Sequence, residues 1–94
     1  MSYICTLCGY SNLKFAPWTQ KGLSPSYEIC PCCGVEFGVD DINKAAYEIY
    51  KKEWFESGNK WFMESKKPNN WNLQDQLKKI SQIDSEQLPH YLLD

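Results

Sequence analysis

The first long hydrophobic pattern lies in the middle of the chain, over residues 41–57. Its apolar positions recur at roughly helical spacing, and they are Ile42, Ala45, Ala46, Ile49 and Trp54. Asp40 or Asp41 precedes this stripe as a candidate N-cap, and Gly58 follows it as a stop signal. The pattern predicts a helix that turns the stripe towards the rest of the protein.

A second, shorter pattern begins after Asn72. Its apolar stripe consists of Leu73, Leu77 and Ile80. Asn72 is a candidate N-cap, and Asp75 stands three residues on, in an approximate capping box. A further turn is predicted in residues 84–94, before Pro89.

The first half shows no long periodic element. Residues 13–29 contain Pro17, Gly22 and Pro25, which is typical of a loop with short extended ends. At 94 residues the chain has the size of one small domain, in which a hydrophobic core alone gives only a few kcal/mol of net stability. We expect a single domain over residues 1–94, with a cysteine-containing part over 1–39 and a helical extension over 40–94 packed on it.

The pattern C-x-x-C-G occurs twice in the first part. Its cysteines are Cys5, Cys8, Cys30 and Cys33. Two intervening residues let the chain turn tightly enough to bring both sulfurs to one edge of a tetrahedral site, and the following glycine permits a positive φ. Twenty-one residues separate the two copies, which is enough for a hairpin to extend and return. The spacing predicts a metal site of four cysteines.

Cys32 is the fifth cysteine, and it occupies one of the two x positions of the second pattern. If it replaced Cys33 as a ligand, the second pair would be C-x-C and Gly34 would no longer follow a ligand directly. Two interpretations stay open: Cys32 is a small, partly apolar filler, or it is a reactive thiol beside a metal centre.

Cellular context bears on whether these cysteines hold a metal or form disulfides. The N-terminal residues lack the basic, apolar and small-residue regions of a signal peptide, and no apolar run approaches the roughly 20 residues that cross a membrane. We therefore expect a cytoplasmic protein without membrane contact. Thiols are kept reduced there, and the odd number of cysteines also favours metal over disulfides.

The two cysteine motifs resemble the knuckles of zinc ribbons and rubredoxins, which carry zinc or iron on four cysteines. The longer stretch YEICPCCGVEFG, followed by Asp40 and Asp41, resembles the cysteine-rich CPCC family of small bacterial proteins. The resemblance implies a small α+β metal-bound domain. In it, a rubredoxin-like zinc ribbon with two knuckles and a short β hairpin is followed by two or three α-helices. It implies little about activity.

Catalysis is not expected. Four thiolates fill the coordination shell of a metal, whereas catalytic zinc keeps a position open for water or substrate. The single histidine, His90, is remote from the cysteines, so Cys-His and Ser-His chemistry has no base.

Nucleic-acid binding is a further alternative for a zinc ribbon. All ten basic residues are lysine, and the arginine fork that reads guanine and phosphate is absent. Four thiolates around a divalent cation would add about two negative charges to the cysteine-containing part, which repels phosphate. We therefore expect nucleic-acid binding to be the weaker alternative.

The favoured function is a non-catalytic protein with one structural zinc ion per chain, acting as a small protein-interaction module. Iron in the same site would make a rubredoxin-like electron-transfer protein, which is the main alternative, because four cysteines suit both metals. Candidate partner contacts are Trp61, Phe62 and Trp71. Lys60, Glu64, Lys66 and Lys67 surround them, so we expect the tryptophans to be partly exposed, as anchors for a partner protein or a second copy.

Overall fold

Two cysteine-containing turns form the first part of the protein, and a largely helical second part packs over them. The computed structural model describes residues 2–93, so the first and last residues of the predicted domain 1–94 lie outside the described residues. The Cα radius of gyration is 12.3 Å. A compact chain of this length is expected to have a value of about 12 Å.

A short antiparallel sheet lies between the two cysteine pairs. Strand β1, Trp18–Thr19, pairs with strand β2, Ser24–Pro25. The connecting turn has three consecutive residues with positive φ, at Gln20, Lys21 and Gly22. This sheet agrees with the predicted loop that has short extended ends. It also agrees with the predicted hairpin between the two cysteine pairs.

Helix α1, Lys44–Glu56, begins later than the hydrophobic pattern predicted. Its N-cap is Asn43, whose Oδ1 accepts a hydrogen bond from the Ala46 N–H at 2.8 Å. The prediction that Asp40 or Asp41 caps this helix is wrong. The Asp40 carboxylate accepts the Glu36 N–H, and the Asp41 carboxylate accepts N–H groups of Gly38 and Trp18.

Asp41 joins three parts of the chain. It is 1% exposed, and its carboxylate accepts hydrogen bonds from the Trp18 indole N–H at 3.0 Å and the Gly38 N–H at 2.6 Å. Its backbone carbonyl accepts the hydroxyl of Tyr91 at 2.6 Å. Burial raises the pKa of the Asp41 carboxyl, although the bonds from Trp18 and Gly38 act in the opposite direction. The two donors thus offset part of the free-energy cost of burying this charge.

The buried face of α1 differs from the predicted stripe. Ile42 and Ile49 are 50% and 59% exposed, so placing them in the core was wrong. The helix turns Tyr47 and Tyr50 inwards in their place, together with Trp54 of the predicted stripe, whose burial is confirmed, at positions i, i+3 and i+7. The surface that receives the helix presents backbone carbonyl groups, which a tyrosine hydroxyl can satisfy and an isoleucine cannot.

Helix α1 ends where Gly58 was predicted to stop it. Gly58 and Asn59 both have positive φ, at 90° and 59°, and the Asn59 N–H donates back to the carbonyl of Trp54. The chain then reverses, and the Trp54 indole N–H donates to the Lys60 carbonyl at 2.9 Å. This turn brings the segment after the helix back onto the cysteine-containing part.

Helix α2, Leu73–Lys78, has the predicted cap, because the Asn72 Oδ1 accepts the Asp75 N–H at 3.0 Å. Gln76 is its most buried residue, at 8% exposed, whereas the predicted apolar stripe is only half-buried. Two α-helices are present in residues 2–93. The short 3-10 helices are Glu64–Lys66, Lys79–Gln82, Ser85–Gln87 and His90–Leu92.

The core is centred on the five cysteines, each of which is at most 5% exposed. The aliphatic and aromatic residues that pack around them are Leu7, Tyr10, Leu13, Val35, Phe37, Tyr47, Trp54 and Trp61. The sheet, the two helices and the cysteine cluster agree with the predicted small α+β class. The rubredoxin-like arrangement of the ribbon stays a prediction.

No helix in residues 2–93 has the length and apolar character to cross a membrane. The longest, α1, has 13 residues and a length of about 20 Å, against a hydrocarbon thickness of about 30 Å.

Removal of the Asp41 carboxylate tests its role in joining the parts of the fold. In Asp41→Ala, the N–H groups of Trp18 and Gly38 lose their buried acceptor, so the free energy of unfolding should fall by about 1–3 kcal/mol. Thermal unfolding of the metal-loaded protein measures this effect. Glu48→Ala, which changes an exposed carboxylate on α1, is the control and should leave the midpoint almost unchanged. Equal midpoints for the two variants would contradict the role of Asp41.

Candidate metal centre

The two C-x-x-C-G segments adopt the same backbone conformation. In each, the glycine N–H donates to the carbonyl of the first cysteine, from Gly9 to Cys5 at 3.0 Å and from Gly34 to Cys30 at 2.9 Å. The N–H of each first cysteine donates to the carbonyl five residues further on, at 2.7 and 3.0 Å. Both glycines have positive φ, at 85° and 79°, as the motif predicted. The sequence repeat is therefore also a structural repeat.

The repeat brings four sulfur atoms together. The sulfurs of Cys5, Cys8, Cys30 and Cys33 all lie within 4.8 Å of one another, and all four residues are buried. The distance between the Cys5 and Cys33 sulfurs is 3.8 Å, and that between the Cys8 and Cys30 sulfurs is 3.6 Å. A tetrahedral site with metal–sulfur bonds of about 2.3 Å has edges of about 3.8 Å. The sulfur positions therefore fit a zinc or iron ion, and these four cysteines can hold one.

The acid–base properties of the buried thiols show that four thiolates would need a counter-charge here. Burial raises the pKa of the Cys5, Cys8 and Cys33 thiols, because a thiolate loses its hydration there. Burial acts in the same direction on Cys30, but hydrogen bonds from the Cys33 and Cys5 side chains outweigh it and lower the Cys30 pKa. A cation at the centre would provide the opposite charge that four buried thiolates require.

Cys32 is buried but does not belong to this group of four. Its sulfur accepts the side-chain N–H of Gln76 at 3.4 Å. The pKa of Cys32 lies below its usual value, chiefly because of a hydrogen bond with the Cys8 side chain, with a smaller contribution from Gln76. Its complete burial agrees with the filler interpretation of this residue.

Helix α1 covers one side of the cluster through two tyrosine hydroxyl groups. Tyr47 donates to the Thr6 carbonyl at 3.0 Å, and Tyr50 donates to the Cys33 carbonyl at 2.9 Å. One contact is made to each cysteine segment, so the helix connects the two. Tyr47 and Tyr50 are three residues apart, so the sequence alone places them on one face of the helix. The apolar periodicity instead predicted that the face with Ile42 and Ile49 is buried.

Helix α2 covers another side through Gln76. Its side-chain N–H donates to the Cys8 carbonyl at 2.9 Å, in addition to its contact with the Cys32 sulfur. A Cβ atom added to Gly9 would lie 2.2 Å from the Gln76 carbonyl oxygen, so only glycine permits this approach. The sequence carried no signal for Gln76, because a glutamine within a helix is ordinarily solvated.

The segment between the helices covers the second cysteine motif through its backbone. The Phe62 N–H donates to the Cys32 carbonyl at 2.9 Å, and the Met63 N–H donates to the Pro31 carbonyl at 2.8 Å. With the side-chain contacts of α1 and α2, the second part of the chain supplies donors to five carbonyl groups of the two cysteine segments. These contacts surround the candidate metal centre.

The predicted partner-contact residues are exposed to different degrees. Trp61 is only 6% exposed and packs edge-on against Tyr10 and Trp71, so the expectation that it is partly exposed is wrong. Trp71 is half-buried, and its indole N–H donates to the Gln76 side chain at 2.8 Å. Phe62 is 60% exposed. Trp61 is therefore a core residue, and Phe62 is the exposed aromatic residue of this set.

His90 lies outside the cysteine cluster, as expected. Its Nδ1 is 3.0 Å from the carbonyl oxygen of Gly22, and it is not among the residues whose ligand atoms converge. This contact ties the C-terminal segment to the turn between β1 and β2.

Two proteins of Bacillus subtilis (strain 168) are similar to this chain. The uncharacterized protein YoaQ is 36% identical over 70 residues, which cover 60% of this chain and 59% of YoaQ. The uncharacterized protein YozI is 33% identical over 73 residues, which cover 62% of this chain and 60% of YozI. The chain thus spans about three fifths of the length of these curated relatives. No family model and no solved structure matches it.

Single serine substitutions distinguish the ligand cysteines from Cys32. The apparent binding energy of a structural zinc site is on the order of 10 kcal/mol, which is comparable to the stability of a small domain. Cys5→Ser and Cys33→Ser should therefore lose metal and be largely unfolded by circular dichroism, while Cys32→Ser keeps both metal and fold. Loss of metal in Cys32→Ser but not in Cys33→Ser would contradict the ligand set.

Proposed function

We propose that this protein is a non-catalytic, zinc-binding interaction module, in which one zinc ion per chain holds the fold together. The observation that carries the proposal is the convergence of four buried sulfurs beneath contacts from both helices. A metal in that position ties the two cysteine segments to each other, and the helices fix the outer side of both segments.

The coordination chemistry supports a structural rather than a catalytic role. Four thiolates complete a tetrahedral shell, so no position remains for water or a substrate. The four cysteines are between 0% and 5% exposed. The chain's own residues would hold the ion and exclude water from it, and the ion would supply cross-linking. A working surface is then expected away from the metal.

Phe62 is the residue that best fits a partner contact. It is 60% exposed, and its ring packs over Gly34, where a Cβ atom would lie 3.1 Å from the phenyl ring. Trp71 is the second candidate, half-buried with the Lys67 ammonium 5.3 Å from its ring centre. A large apolar side chain held on a rigid support resembles an interface anchor, because little conformational entropy is lost when it is covered.

Iron-based electron transfer is the second candidate function. The observation that favours it is a hollow of about 330 Å³ beside Cys33, lined by Tyr50, Trp54 and Phe62 among others. Cys33 is 5% exposed, so a redox partner bound in this hollow would lie close to one metal ligand. The same four sulfurs suit iron and zinc.

The identity of the metal distinguishes the two candidates. Protein produced with both zinc and iron supplied should contain about one zinc per chain by elemental analysis, because thiolate sites favour zinc over ferrous iron in the usual affinity order. It should be colourless and show no reversible reduction. A red protein that contains iron and is reduced reversibly would replace the structural role with electron transfer.

Alanine substitutions separate the partner surface from the core. Phe62→Ala should keep its metal and its thermal midpoint but lose proteins that copurify with the tagged wild type from the native host. Trp61→Ala should instead lower the free energy of unfolding by about 3–5 kcal/mol, because it leaves a cavity in the core.

Ile49→Ala is the matched control for this experiment, since Ile49 is 59% exposed on α1. It should retain the copurifying proteins. Their retention by Phe62→Ala would show that Phe62 is an ordinary exposed residue, and the partner surface proposed here would be wrong.

A further inference from the structure

Gln76 is a buried polar side chain that contacts both cysteine segments. It is 8% exposed and lies on helix α2, 68 residues from Cys8 and 44 residues from Cys32 in the chain. Its Nε2 group donates to the Cys8 carbonyl at 2.9 Å and to the Cys32 sulfur at 3.4 Å. The two hydrogens of a single amide group thus join the first cysteine segment to the second.

A third hydrogen bond fixes the orientation of the Gln76 amide. The Trp71 indole N–H donates to the Gln76 Oε1 at 2.8 Å. An indole N–H can only donate and a backbone carbonyl can only accept. A rotation of the amide by 180° would therefore bring two donors together at Trp71 and two acceptors together at Cys8. The contacts with Trp71 and Cys8 leave one orientation, in which the amide N–H groups face Cys8 and Cys32.

The backbone of α2 also contacts the first cysteine segment at this point. Gly9, which follows Cys8, has a φ of 85°, and a Cβ atom added to it would lie 2.2 Å from the Gln76 carbonyl oxygen. This contact involves backbone atoms alone. It should therefore remain when another side chain replaces that of Gln76, so the amide can be removed without removing the helix from its place.

Cys32 is close enough to the candidate metal centre to compete for a metal. It precedes Cys33 in the chain, it is completely buried, and its side chain forms a hydrogen bond with that of Cys8. Cysteine sulfurs share one intrinsic preference for zinc or iron, so their chemistry does not distinguish Cys32 from the four cysteines whose sulfurs converge. The Cys32 sulfur nevertheless lies outside that group of four. Its position, rather than its chemistry, keeps it apart.

Two hydrogen bonds hold Cys32 in this position. The Phe62 N–H fixes its backbone carbonyl at 2.9 Å, and the Gln76 amide donates to its sulfur. If the sulfur moved towards the metal centre, a buried N–H of Gln76 would lose its acceptor, and buried donors without a partner are unfavourable. The amide therefore opposes the entry of Cys32 into the coordination shell.

We propose that Gln76 is a positioning residue that selects the four metal ligands by holding the Cys32 sulfur out of the coordination shell. Trp71 orients the Gln76 amide for this role. The proposal rests on the proposed function, because it requires a metal bound by Cys5, Cys8, Cys30 and Cys33. It adds that α2 determines which sulfurs bind, and thereby how slowly the protein releases its metal.

Transfer of zinc from the zinc-loaded full chain to an excess of a chromogenic chelator tests the proposal. Gln76→Met keeps the length of the side chain and removes its hydrogen-bonding groups. Loss of a partner outside the ligand set commonly weakens metal binding by about 10–100-fold, so this variant should release zinc about tenfold faster than wild type. Gln74→Met is the matched control, the same substitution at an exposed position of α2, and its rate should stay within about twofold of wild type.

A second substitution, at Cys32, separates ligand selection from a general loss of packing. Gln76→Met combined with Cys32→Ser contains no competing sulfur, so its rate should return to within about threefold of that of Cys32→Ser alone. An equal acceleration by Gln76→Met with and without Cys32 would show that Gln76 only stabilises the fold and would overturn the proposal. Equal rates for Gln76→Met and Gln74→Met would overturn it as well.

Trp71→Phe keeps the proposal testable if Gln76→Met does not fold. This variant retains Gln76 but lacks the indole N–H that orients the amide, so zinc release should be about threefold faster or more when Cys32 is present and unchanged in the Cys32→Ser background. Acceleration that does not depend on Cys32 would reject the role of Gln76. A wild-type chain that retains no zinc would instead reject the proposed function, and ligand selection with it.

Discussion

Four cysteine sulfurs within 4.8 Å of one another, all buried, form the arrangement on which the rest of this structure depends. Deprotonated sulfurs at that separation repel one another, and burial removes the water that would otherwise stabilise them. The arrangement therefore calls for a cation. It also requires two tight turns, which direct the sulfurs inwards and leave other carbonyl groups of the turns, such as those of Thr6, Cys8 and Cys33, facing outwards.

The outward carbonyl groups explain the composition of the second part of the chain. A buried carbonyl without a donor costs free energy comparable to a lost hydrogen bond, so a purely aliphatic cover would destabilise the protein. Tyr47, Tyr50 and Gln76 combine apolar contact with a donor at the tip, and each reaches one carbonyl of a cysteine segment. The helices are therefore matched to the cysteine segments through hydrogen bonds as well as through packing.

The hydrogen bonds from the helices do not extend to the outer edges of the cysteine segments. The helices occupy the carbonyl groups near the sulfurs, whereas the outer edges of two isolated β-bridges, at Lys14 and Ile29, retain backbone groups that are unpaired within residues 2–93. A domain whose centre is cross-linked by a metal can keep such edges in a fixed position, because the local turns cannot relax independently. A metal bound by the four cysteines would supply this rigidity, and the proposed contact at Phe62 would use it.

The sequence by itself determined the elements that depend on local geometry. The repeated C-x-x-C-G spacing singled out the four cysteines whose sulfurs meet, and Asn72 and Gly58 marked a helix start and a helix stop correctly. Only the tertiary structure decided which face of α1 is buried, that Asp41 accepts hydrogen bonds from Trp18 and Gly38 rather than capping α1, and that Trp61 lies in the core. Those outcomes depend on the polarity of the surface that each segment meets. Hydrophobic periodicity describes one segment alone, so it predicted that the isoleucines of α1 are buried. The carbonyl groups of the distant cysteine segments favour burial of the tyrosines instead, because a tyrosine hydroxyl can donate to them.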